Sequence, residues 1–501
     1  MKSLPFSQLP GMNALFLDSM DSPEKVQDFY PSRETIRSTA IPHREALCDI
    51  LARQNQGYGN QNAEAMVQKL RDPQTSCVIT GQQIGLLTGP LYTIWKALTA
   101  LRFAESMQAQ GISCVPVFWM ATEDHNWHEI THFALLKPDL ELMQFSLKEH
   151  LFLSRQPTGT ISTQHQEIRK ILIRALREIQ IAPVKEYYST GTLATAFART
   201  LLWLLKDFSI LIVDPSDPDL KKLASPFFTK FFDRSNQLLH LLSKQNELLR
   251  NRNYPVQVAM EEGTLPIFTI EQEERAHLKT GSYENMPAEK LSPSALLRPL
   301  FQDFLFPTLA YIGGPGEMAY FAQLHPWYEA MDMQQPWLLP RASITLLPPA
   351  TRGFLQSRSL KPEELFIKED ALVDALLDSE PLKQTKNHLK ELKKNVMDQM
   401  GKIKLNAQKM EATLGKAADT AERKVLYQLD KMERKTFFAA KRKNYLLGEQ
   451  IRKAKNVIYP GEKLQERYLN VFSFAQHLPD LIHNIYSKID PETKAHLWLD
   501  L

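Results

Sequence analysis

The chain of 501 residues has few cysteines and no long hydrophobic run, and both absences exclude classes of protein. Its three cysteines, Cys48, Cys77 and Cys114, are widely separated, so we expect neither a disulfide framework nor a zinc site built from thiolates. Cys77 and Cys114 lie in apolar runs typical of strands, which predicts buried free thiols. Without an apolar leader or a run of about 18 apolar residues, the sequence predicts a cytoplasmic protein with no membrane partner.

Positive charge is concentrated in one part of the chain. The whole sequence carries +3, but the segment from Lys383 to Lys463 holds 21 Lys and Arg against 9 Asp and Glu. This segment therefore carries a net charge of +12 and the remainder −9, which indicates that the segment is a structurally distinct part of the chain.

The same segment has the pattern of a coiled coil. Its apolar residues recur in steps of three and four from Leu389 to Met432, and no proline interrupts it before Pro460. We expect a helix of roughly 75 residues, which needs a partner to cover its apolar stripe. That partner is either a second copy of the chain or a folded-back half, with Gly401 and Gly415 as weak points.

The most informative stretch runs from Ser76 to His132. A short strand (76–80) enters the glycine-punctuated loop 81–90, a helix follows to about Gln110, and a second apolar strand covers 114–121. Strand, helix and strand in this order form a parallel crossover unit. Because open parallel sheets bind ligands at the carboxyl ends of their strands, the polar residues after both strands predict the active site.

Two further strands extend this α/β core. Ser209–Asp214 is a short apolar run expected to be a buried parallel strand, and Thr308–Ile312 is another. The second is followed by Gly-Gly-Pro-Gly-Glu at 313–317 and by a helix expected to begin near Met318. The predicted organisation is a helical lead-in (1–75), a core with insertions near 140–200 and 225–300 (76–380), a basic coiled coil (381–463) and a helical end (464–501).

Both glycine loops are candidate anion sites. In the first, Thr88 or Gly89 would cap the helix with Pro90 in its first turn, and the free amides would bind an anion. In the second, the amides after Gly313 would do the same, and Glu317 could accept from an ammonium or a hydroxyl group. For both loops a tight turn that needs glycine for its shape alone remains the alternative. Neither is a P-loop, because no Gly-Lys-Ser/Thr follows.

The polar cluster after the second strand contains an apparent zinc motif. His128-Glu-Ile-Thr-His132 matches H-E-x-x-H, which places two histidines on one helical face. The motif directly follows a strand, lacks a third ligand motif and comes without a secretion signal, so we do not expect a zinc protease. A metal role for His125, His128 and His132, and a plain surface role for the last two, stay open, but no metal site is predicted.

We instead expect Glu123, Asp124 and His125 to act as hydrogen-bonding and acid/base groups. They would lie just beyond the carboxyl end of the second strand. A histidine beside carboxylates suits proton transfer to or from an amine, because its pKa is near neutral.

Four separated segments, in order along the chain, resemble the cysteine-adding enzymes of bacillithiol biosynthesis: 80–96 (TGQQIGLLTGPLYTIWK), 118–125 (FWMATEDH), 312–320 (IGGPGEMAY) and 340–343 (PRAS). The basic coiled coil and the segment 458–467 (IYPGEKLQER) fit the same family, so the similarity spans nearly the whole chain. The chain departs from that family's pattern at His128, so the H-E-x-x-H match is interpreted as a coincidence built on His132.

The resemblance implies a fold and a reaction. The fold is an α/β, Rossmann-like parallel sheet core with connecting insertions, related to class I synthetases, plus a long C-terminal coiled coil that makes a homodimer. The partners are cysteine and glucosaminyl-malate, whose amine would be joined to the carboxyl group of cysteine. We expect ATP to activate that carboxyl group, because amide formation from a free carboxylate is uphill in water.

The candidate residues follow from the motifs. The catalytic candidates are His125, Asp124 and Glu123, of which His125 or Asp124 would take the proton of the attacking amine. The substrate and nucleotide candidates are Thr80, Gly81, Gln82, Gln83, Gly89, Tyr92, Lys96, Gly313, Gly314, Gly316, Glu317 and Arg341.

Two functions of other classes compete with a ligase. The basic coiled coil could bind RNA phosphates. Its interspersed acidic residues instead favour a solvated helix face, so nucleic acid is not the expected partner. The same fold could also serve a non-catalytic protein that binds a nucleotide or a sugar acid.

Overall fold

The computed structural model describes residues 2–31, 41–147, 155–272, 274–281, 286–376, 380–443 and 445–501. The chain divides into a first unit, Met1–Leu346 with Lys463–Asp500, and a second unit, Leu347–Glu462 with Leu501.

The strands form several sheets. In chain order they are β1 (Lys2–Pro5), β2 (Ser76–Gln82), β3 (Cys114–Met120), β4 (Phe133–Leu136), β5 (Leu142–Phe145), β6 (Leu211–Val213), β7 (Thr264–Glu271), β8 (Glu274–Lys279), β9 (Leu291–Pro293), β10 (Thr308–Gly313), β11 (Trp337–Pro340), β12 (Ser343–Leu347) and β13 (Ala495–Asp500).

The central sheet is parallel and has the order β11-β10-β2-β3-β6. Along the chain its strands come as β2, β3, β6, β10 and β11, so the winding direction reverses between β2 and β10. This is the order of a Rossmann-like doubly wound sheet, in which ligands bind where the strand order reverses. The predicted α/β fold with a Rossmann-like core is confirmed.

The strands of the central sheet are apolar in sequence because they are buried in the structure. All residues of β3, β6 and β10 are buried, as are those of β2 up to Gly81, because helices cover both faces of the sheet. The register pairs Thr80 with Phe118 and with Ile312, so the carboxyl ends of three strands meet at one edge. The predicted strand at 209–214 is confirmed as β6 at the edge of this sheet.

The helices of the first unit connect and cover the sheets. They are α1 (Ala14–Asp21), α2 (Arg44–Tyr58), α3 (Ala63–Arg71), α4 (Tyr92–Ala109), α5 (Trp127–Thr131), α6 (Gln166–Glu178), α7 (Ala182–Tyr187), α8 (Leu193–Leu204), α9 (Pro218–Leu223), α10 (Ser225–Asn251), α11 (Arg298–Leu305) and α12 (Pro315–Ala330). Three short helices complete the unit: α18 (Gln465–Tyr468), α19 (Phe472–Ala475) and α20 (Leu481–Tyr486).

Two helix starts differ from the prediction. Helix α4 begins at Tyr92 without a side-chain cap, because Leu87, Thr88 and Gly89 all have positive φ and form an irregular turn instead. Helix α12 begins at Pro315, before Met318, with Gly314 at its N-cap. The glycine loop after β10 therefore belongs in part to the first turn of α12.

Smaller sheets surround the core. Strands β4 and β5 form an antiparallel hairpin, and β7 pairs antiparallel with both β8 and β9. The third has the order β1-β13-β12 and brings the C-terminal strand between two others. The segment 463–500 thereby completes the first unit.

The second unit is helical. Its helices are α13 (Pro349–Ser357), α14 (Glu369–Leu376), α15 (Glu380–Met410), α16 (Leu414–Lys443) and α17 (Tyr445–Ile458). Helices α15 and α16 run antiparallel as a coiled-coil hairpin, with Lys393 2.7 Å from Asp430 and Lys404 2.6 Å from Asp419.

The expected single helix of roughly 75 residues is therefore wrong, and the folded-back alternative is correct. The helix breaks at 411–413, next to Gly415, where a Cβ atom would meet the Gln408 side chain at 2.5 Å. Gly401 lies inside α15 without breaking it.

Two expectations from composition can be compared with the structure. Cys48, Cys77 and Cys114 are buried free thiols, as predicted for the last two. None of the helices in the described ranges has both the length and the apolar character needed to cross a membrane.

Candidate active site

A cleft of about 380 Å³ lies at the carboxyl ends of β2 and β10, where the strand order reverses. Ten of the predicted residues line it: Gly81, Gln82, Gln83, Tyr92, Lys96, Asp124, Gly314, Gly316, Glu317 and Arg341. The volume falls within the roughly 300–1,000 Å³ of small-molecule sites. The strand ends thus converge on one cavity, as the crossover pattern predicted.

An ion pair between the buried Lys96 and the half-buried Glu317 crosses the cleft floor. Lys96 is 3% exposed, and its Nζ also donates to the carbonyl oxygen of Gly81 at 2.8 Å and to Oε1 of Gln82 at 2.9 Å. Glu317 accepts from the backbone N–H of Gly314 at 2.8 Å and from the hydroxyl of Tyr311 at 2.7 Å. The pair therefore fixes the end of β2 to the start of α12.

The two partners of this pair shift each other's pKa toward the charged forms. Burial lowers the pKa of Lys96, but Glu317 opposes that shift. Burial alone would raise the pKa of Glu317, yet the charge of Lys96 and its hydrogen-bond donors hold it below its usual value. With its donors committed in this way, Lys96 acts as part of the framework.

Glycine at two of the predicted positions serves close packing. At Gly81 a Cβ atom would approach the carbonyl oxygen of Trp119 to 3.1 Å, and at Gly313 it would approach Cβ of Glu317 to 3.3 Å. The absence of a side chain at Gly313 lets Glu317 fold back over the loop. Both residues lie in strands and neither has a positive φ, so close packing rather than turn geometry explains the glycine.

A second ion pair, with both partners buried, holds Arg341 against the cleft wall. Its guanidinium donates to Oε1 of Glu466 at 2.8 Å and lies 5.4 Å from the centre of the Tyr92 ring. Glu466 also accepts from the hydroxyl of Ser343 and from the backbone N–H of Ile344, both at 2.9 Å. Burial alone would raise the pKa of Glu466, but the charge of Arg341 and the hydrogen-bond donors around the carboxylate lower that pKa below its usual value.

A buried histidine supports the same network. Nδ1 of His496 is 2.8 Å from Oγ of Ser343, and its Nε2 is 3.0 Å from Oγ1 of Thr345. Because the Ser343 hydroxyl donates to Glu466, the Nδ1 of His496 must carry the ring proton. Burial is the main cause that lowers the pKa of His496 to about 4, so the ring is neutral at pH 7.

Carboxylates line the side of the cleft after β3. Asp124 accepts from Nε2 of Gln83 and, at 2.7 Å, from the backbone N–H of His125. The carboxylate of Glu129, from α5, also lines the cleft, although the side chain as a whole is exposed. Loss of solvent around that carboxylate and the nearby charge of Asp124 raise the pKa of Glu129.

Two further arginines, Arg298 and Arg467, line the cleft. Arg298, the first residue of α11, donates to the hydroxyl of Tyr320 at 2.7 Å, and no carboxylate of the described residues lies within ion-pair distance. Arg467 lines the mouth of the cleft and is exposed. Together with the buried carboxamide oxygen of Gln83, which lacks a described hydrogen-bond partner, these groups are available to a ligand.

Sequence reasoning missed several lining residues. They are Glu129, Gln257, Val258, Ala295, Arg298, Pro315, Tyr320 and Arg467. Glu129 and Arg467 stood inside segments already singled out, as the glutamate of H-E-x-x-H and the last residue of 458–467. Arg298 and Gln257 had no local signal, because the fold alone brings them to the cleft.

Five predicted residues do not line the cleft. Glu123 is buried in an ion pair with Lys221 and accepts from Ser292 at 2.9 Å. The half-buried His125 ring packs edge-on against Phe268, and burial is the main cause that lowers its pKa. The geometry therefore brings Asp124 to the cleft but directs its two predicted catalytic neighbours elsewhere.

The other three are structural in position. The hydroxyl of Thr80 donates to the carbonyl oxygen of Ile312 at 2.8 Å, and the carbonyl oxygen of Gly313 accepts from the backbone N–H of Arg341 at 2.8 Å. The carbonyl oxygen of Gly89 accepts from Nδ2 of Asn470 at 2.7 Å.

The predicted anion site at the start of α4 is not formed. The backbone N–H of Leu91 donates to the carbonyl oxygen of Leu469 at 2.8 Å, so the segment around Leu469 covers this turn. The start of α12 does face the cleft, with Gly314, Pro315 and Gly316 in its lining. Pro315 has no N–H and the N–H of Met318 donates to the carbonyl oxygen of Gly314, so the N–H groups of Gly316 and Glu317 are the ones that can meet a ligand.

The H-E-x-x-H residues occupy a helix of five residues. The rings of His128 and His132 stack with centroids 5.2 Å apart. Over the described ranges, no three His, Cys, Asp or Glu side chains are grouped so that they could hold a metal ion. The glutamate of the motif lines the cleft instead.

The fold and the site define a Rossmann-like protein with a charged small-molecule cleft at its topological switch point. A family model described as the N-terminal Rossmann-like domain of bacillithiol biosynthesis BshC matches residues 7–289 and 282–342. The model for the C-terminal coiled-coil domain of BshC matches residues 344–501. The chain belongs to the BshC family of bacillithiol biosynthesis.

Relatives named "Putative cysteine ligase BshC" match nearly the whole chain. The protein of Solibacter usitatus is 31% identical over 98% of both chains, and that of Koribacter versatilis is 30% identical over 96% of both. The Bacillus cytotoxicus protein is 28% identical over 87% of this chain and 86% of its own. A solved structure titled a putative arginyl tRNA synthetase from Campylobacter jejuni has a TM-score of 0.25 at 10% identity, too low to indicate a shared fold.

The Lys96–Glu317 pair predicts a strongly coupled double-mutant cycle. Glu317→Gln should lower the free energy of unfolding in urea by about 3–5 kcal/mol, because it leaves the buried Lys96 charge without its partner, and Lys96→Met should cost less, because Glu317 is half-buried. The double variant should lose less than the sum of the two. Lys170→Met, in the exposed pair with Glu167, should change stability by less than about 1 kcal/mol. Additive losses in the double variant would contradict a coupled pair.

The buried His496 predicts a specific loss of stability in acid. Its pKa falls from 6.5 in the unfolded chain to about 4 in the folded one, so below pH 6.5 only the unfolded chain takes up the proton. Its contribution to stability is complete above pH 6.5 and falls by about 3 kcal/mol as the pH drops to 4. Between pH 7 and pH 4 the unfolding free energy of wild type should fall by about 3 kcal/mol more than that of His496→Asn. The exposed His240→Asn should follow wild type, and a parallel His496→Asn curve would refute the assignment.

Proposed function

We propose that this chain is a cysteine ligase that joins the carboxyl group of L-cysteine to the amine of glucosaminyl-malate. Family membership and the names of its relatives support this activity. The observation that carries it is the cleft at the switch point, which is lined by both carboxylates and guanidinium groups. Such a cleft suits two substrates that each carry both an amine and a carboxylate.

ATP is the proposed source of activation. The residues fit a phosphate group, because Arg298 has no carboxylate within ion-pair distance in the described chain and the first-turn amides of α12 lie beside it in the lining. Arg467 at the mouth adds a second positive charge. Bound ATP would supply a phosphate or AMP leaving group for the carboxyl group of cysteine.

Glu129 is the proposed proton acceptor for the attacking amine. Its raised pKa makes it a better base than an ordinary surface carboxylate, and it faces the cleft. Asp124, held in place by Gln83, would bind an ammonium group beside it. This arrangement replaces His125, whose ring packs outside the cleft.

Incubation of the purified protein with cysteine, glucosaminyl-malate and ATP tests the proposal. We expect the amide-linked thiol product together with AMP or ADP, detected by mass spectrometry. Glu129→Gln should lower kcat by roughly 10²-fold or more, because general base catalysis is lost. Glu178→Gln, at an exposed site on α6, should be as active as wild type.

Three outcomes would change the account. No product from the wild type would refute the ligase and favour a non-catalytic binder of a nucleotide or sugar acid. Product without nucleotide turnover would remove ATP from the mechanism. Full activity of Glu129→Gln would exclude this side chain as the base.

The basic hairpin gives less support to RNA binding. Several of its lysines are engaged within the second unit, Lys393 with Asp430 and Glu433, Lys404 with Asp419, and Lys441 with Asp370. Charges neutralised in this way contribute little to phosphate binding. The acidic residues of the second unit therefore engage part of the basic charge.

A second copy of the chain is the proposed partner of the hairpin. Most of the exposed large apolar side chains in the described chain belong to α15, α16 and the start of α17, with Leu405 63% and Tyr427 56% exposed. Two hairpins packed together would form a four-helix bundle that covers these side chains. A homodimer would therefore remove the largest apolar exposure.

Sedimentation equilibrium tests this dimer. The 57.6 kDa chain should sediment as a dimer, and Leu405→Glu combined with Tyr427→Glu should shift it to monomer, because four charges would enter the interface. Ile112→Glu, at an exposed apolar residue of the first unit, should leave the dimer intact. A monomeric wild type, or a dimer unchanged by the paired substitutions, would refute the proposal.

A further inference from the structure

A small inner pocket of about 70 Å³ adjoins the cleft. The two cavities share three lining residues, Asp124, Ala295 and Arg298, which therefore form a common rim. The inner pocket has room for a group of only a few atoms, since a cavity of about 150 Å³ is needed to hold benzene. It excludes a sugar ring or a nucleobase on size alone.

The walls of the inner pocket are largely apolar on one side. Trp119, Ala121, Pro215 and Phe301 line it, and the Trp119 and Phe301 rings meet edge to face with centroids 5.9 Å apart. Trp119 is 1% exposed, and its indole N–H has no acceptor among the described residues. A polarisable group that can also accept weakly, such as a thiol, suits these walls.

The charged groups inside the pocket are paired with residues around it, and one of those partners is the rim residue Asp124. Glu123 is paired with Lys221, and Arg275 donates to Oγ of Ser292 at 3.0 Å and to the carbonyl oxygen of Pro293 at 2.7 Å. Its Nη1 lies 4.0 Å from Oδ1 of Asp124. The pocket interior therefore does not require an anion to balance it.

The rim itself carries one charge of each sign. Asp124 offers a carboxylate and Arg298 offers a guanidinium that no described carboxylate neutralises. A zwitterionic α-amino acid presents an ammonium and a carboxylate on a single carbon atom, with the side chain as the third substituent. Opposite charges at the mouth of a small apolar pocket match these three groups.

We propose that the inner pocket receives the side chain of the amino-acid substrate, with its ammonium at Asp124 and its carboxylate at Arg298. This assignment rests on the proposed ligase function and deepens it, because it orients the reacting carboxyl group toward the cleft. The pocket volume then selects side chains of cysteine size. Larger amino acids are rejected by steric overlap with Trp119 and Phe301.

One substitution tests the pocket directly. Ala121→Leu should fill it and raise the KM for cysteine by roughly 10-fold or more, as an unaccommodated methylene group typically does. The KM for glucosaminyl-malate should not change. A rise in the KM for glucosaminyl-malate alone would show that the pocket holds an arm of the sugar acid, and unchanged constants for both substrates would show that it holds neither.

A measurement on the wild type guards against a variant that fails to fold. Calorimetric titration should show that L-2-aminobutyrate, which has the size of cysteine, binds with affinity close to that of cysteine. L-methionine should bind at least roughly 10-fold more weakly. Equal binding of methionine would overturn the inference even if the enzyme makes product. Selective binding of small amino acids without product would instead refute the ligase and keep the pocket.

Discussion

The ion pair between Lys96 and Glu317 is the constraint on which the site depends. It joins a helix that follows the first strand of the sheet to a helix that follows the fourth, across the point where the strand order reverses. Lys96 is buried and Glu317 is half-buried, so the fold must supply their hydrogen bonds, and it does so from Gly81, Gln82, Gly314 and Tyr311. The two loops that border the cleft are thereby held in one arrangement.

The charged side chains around the Lys96–Glu317 pair come from different segments of the chain, according to their sign. The segment after β3 brings Asp124 and Glu129, whereas α11 and α18 bring Arg298 and Arg467. The buried pair of Arg341 and Glu466 ties the C-terminal segment to the same wall, with neutral His496 behind it. The cleft can therefore hold molecules that carry both signs of charge.

The sequence predicted those parts of the structure that depend on local pattern. The apolar runs of β2, β3, β6 and β10 and the polar residues at their ends were sufficient for the sheet and the position of the cleft. Arg298 and Gln257 could not be predicted, because distant loops bring them together. The coiled-coil seam was recognised, but its period does not distinguish one long helix from a hairpin, and the turn at 411–413 carries no proline. Gly89 has the residue type of a ligand loop, yet Asn470, far along the chain, covers it.

The central claim is that both substrates react in the cleft at the switch point. A crystal structure of the protein soaked with L-cysteine and glucosaminyl-malate tests it most directly. The account predicts electron density for cysteine between Asp124 and Arg298, with the sugar amine beside Glu129. Density for either substrate at a site that shares none of these residues would contradict it.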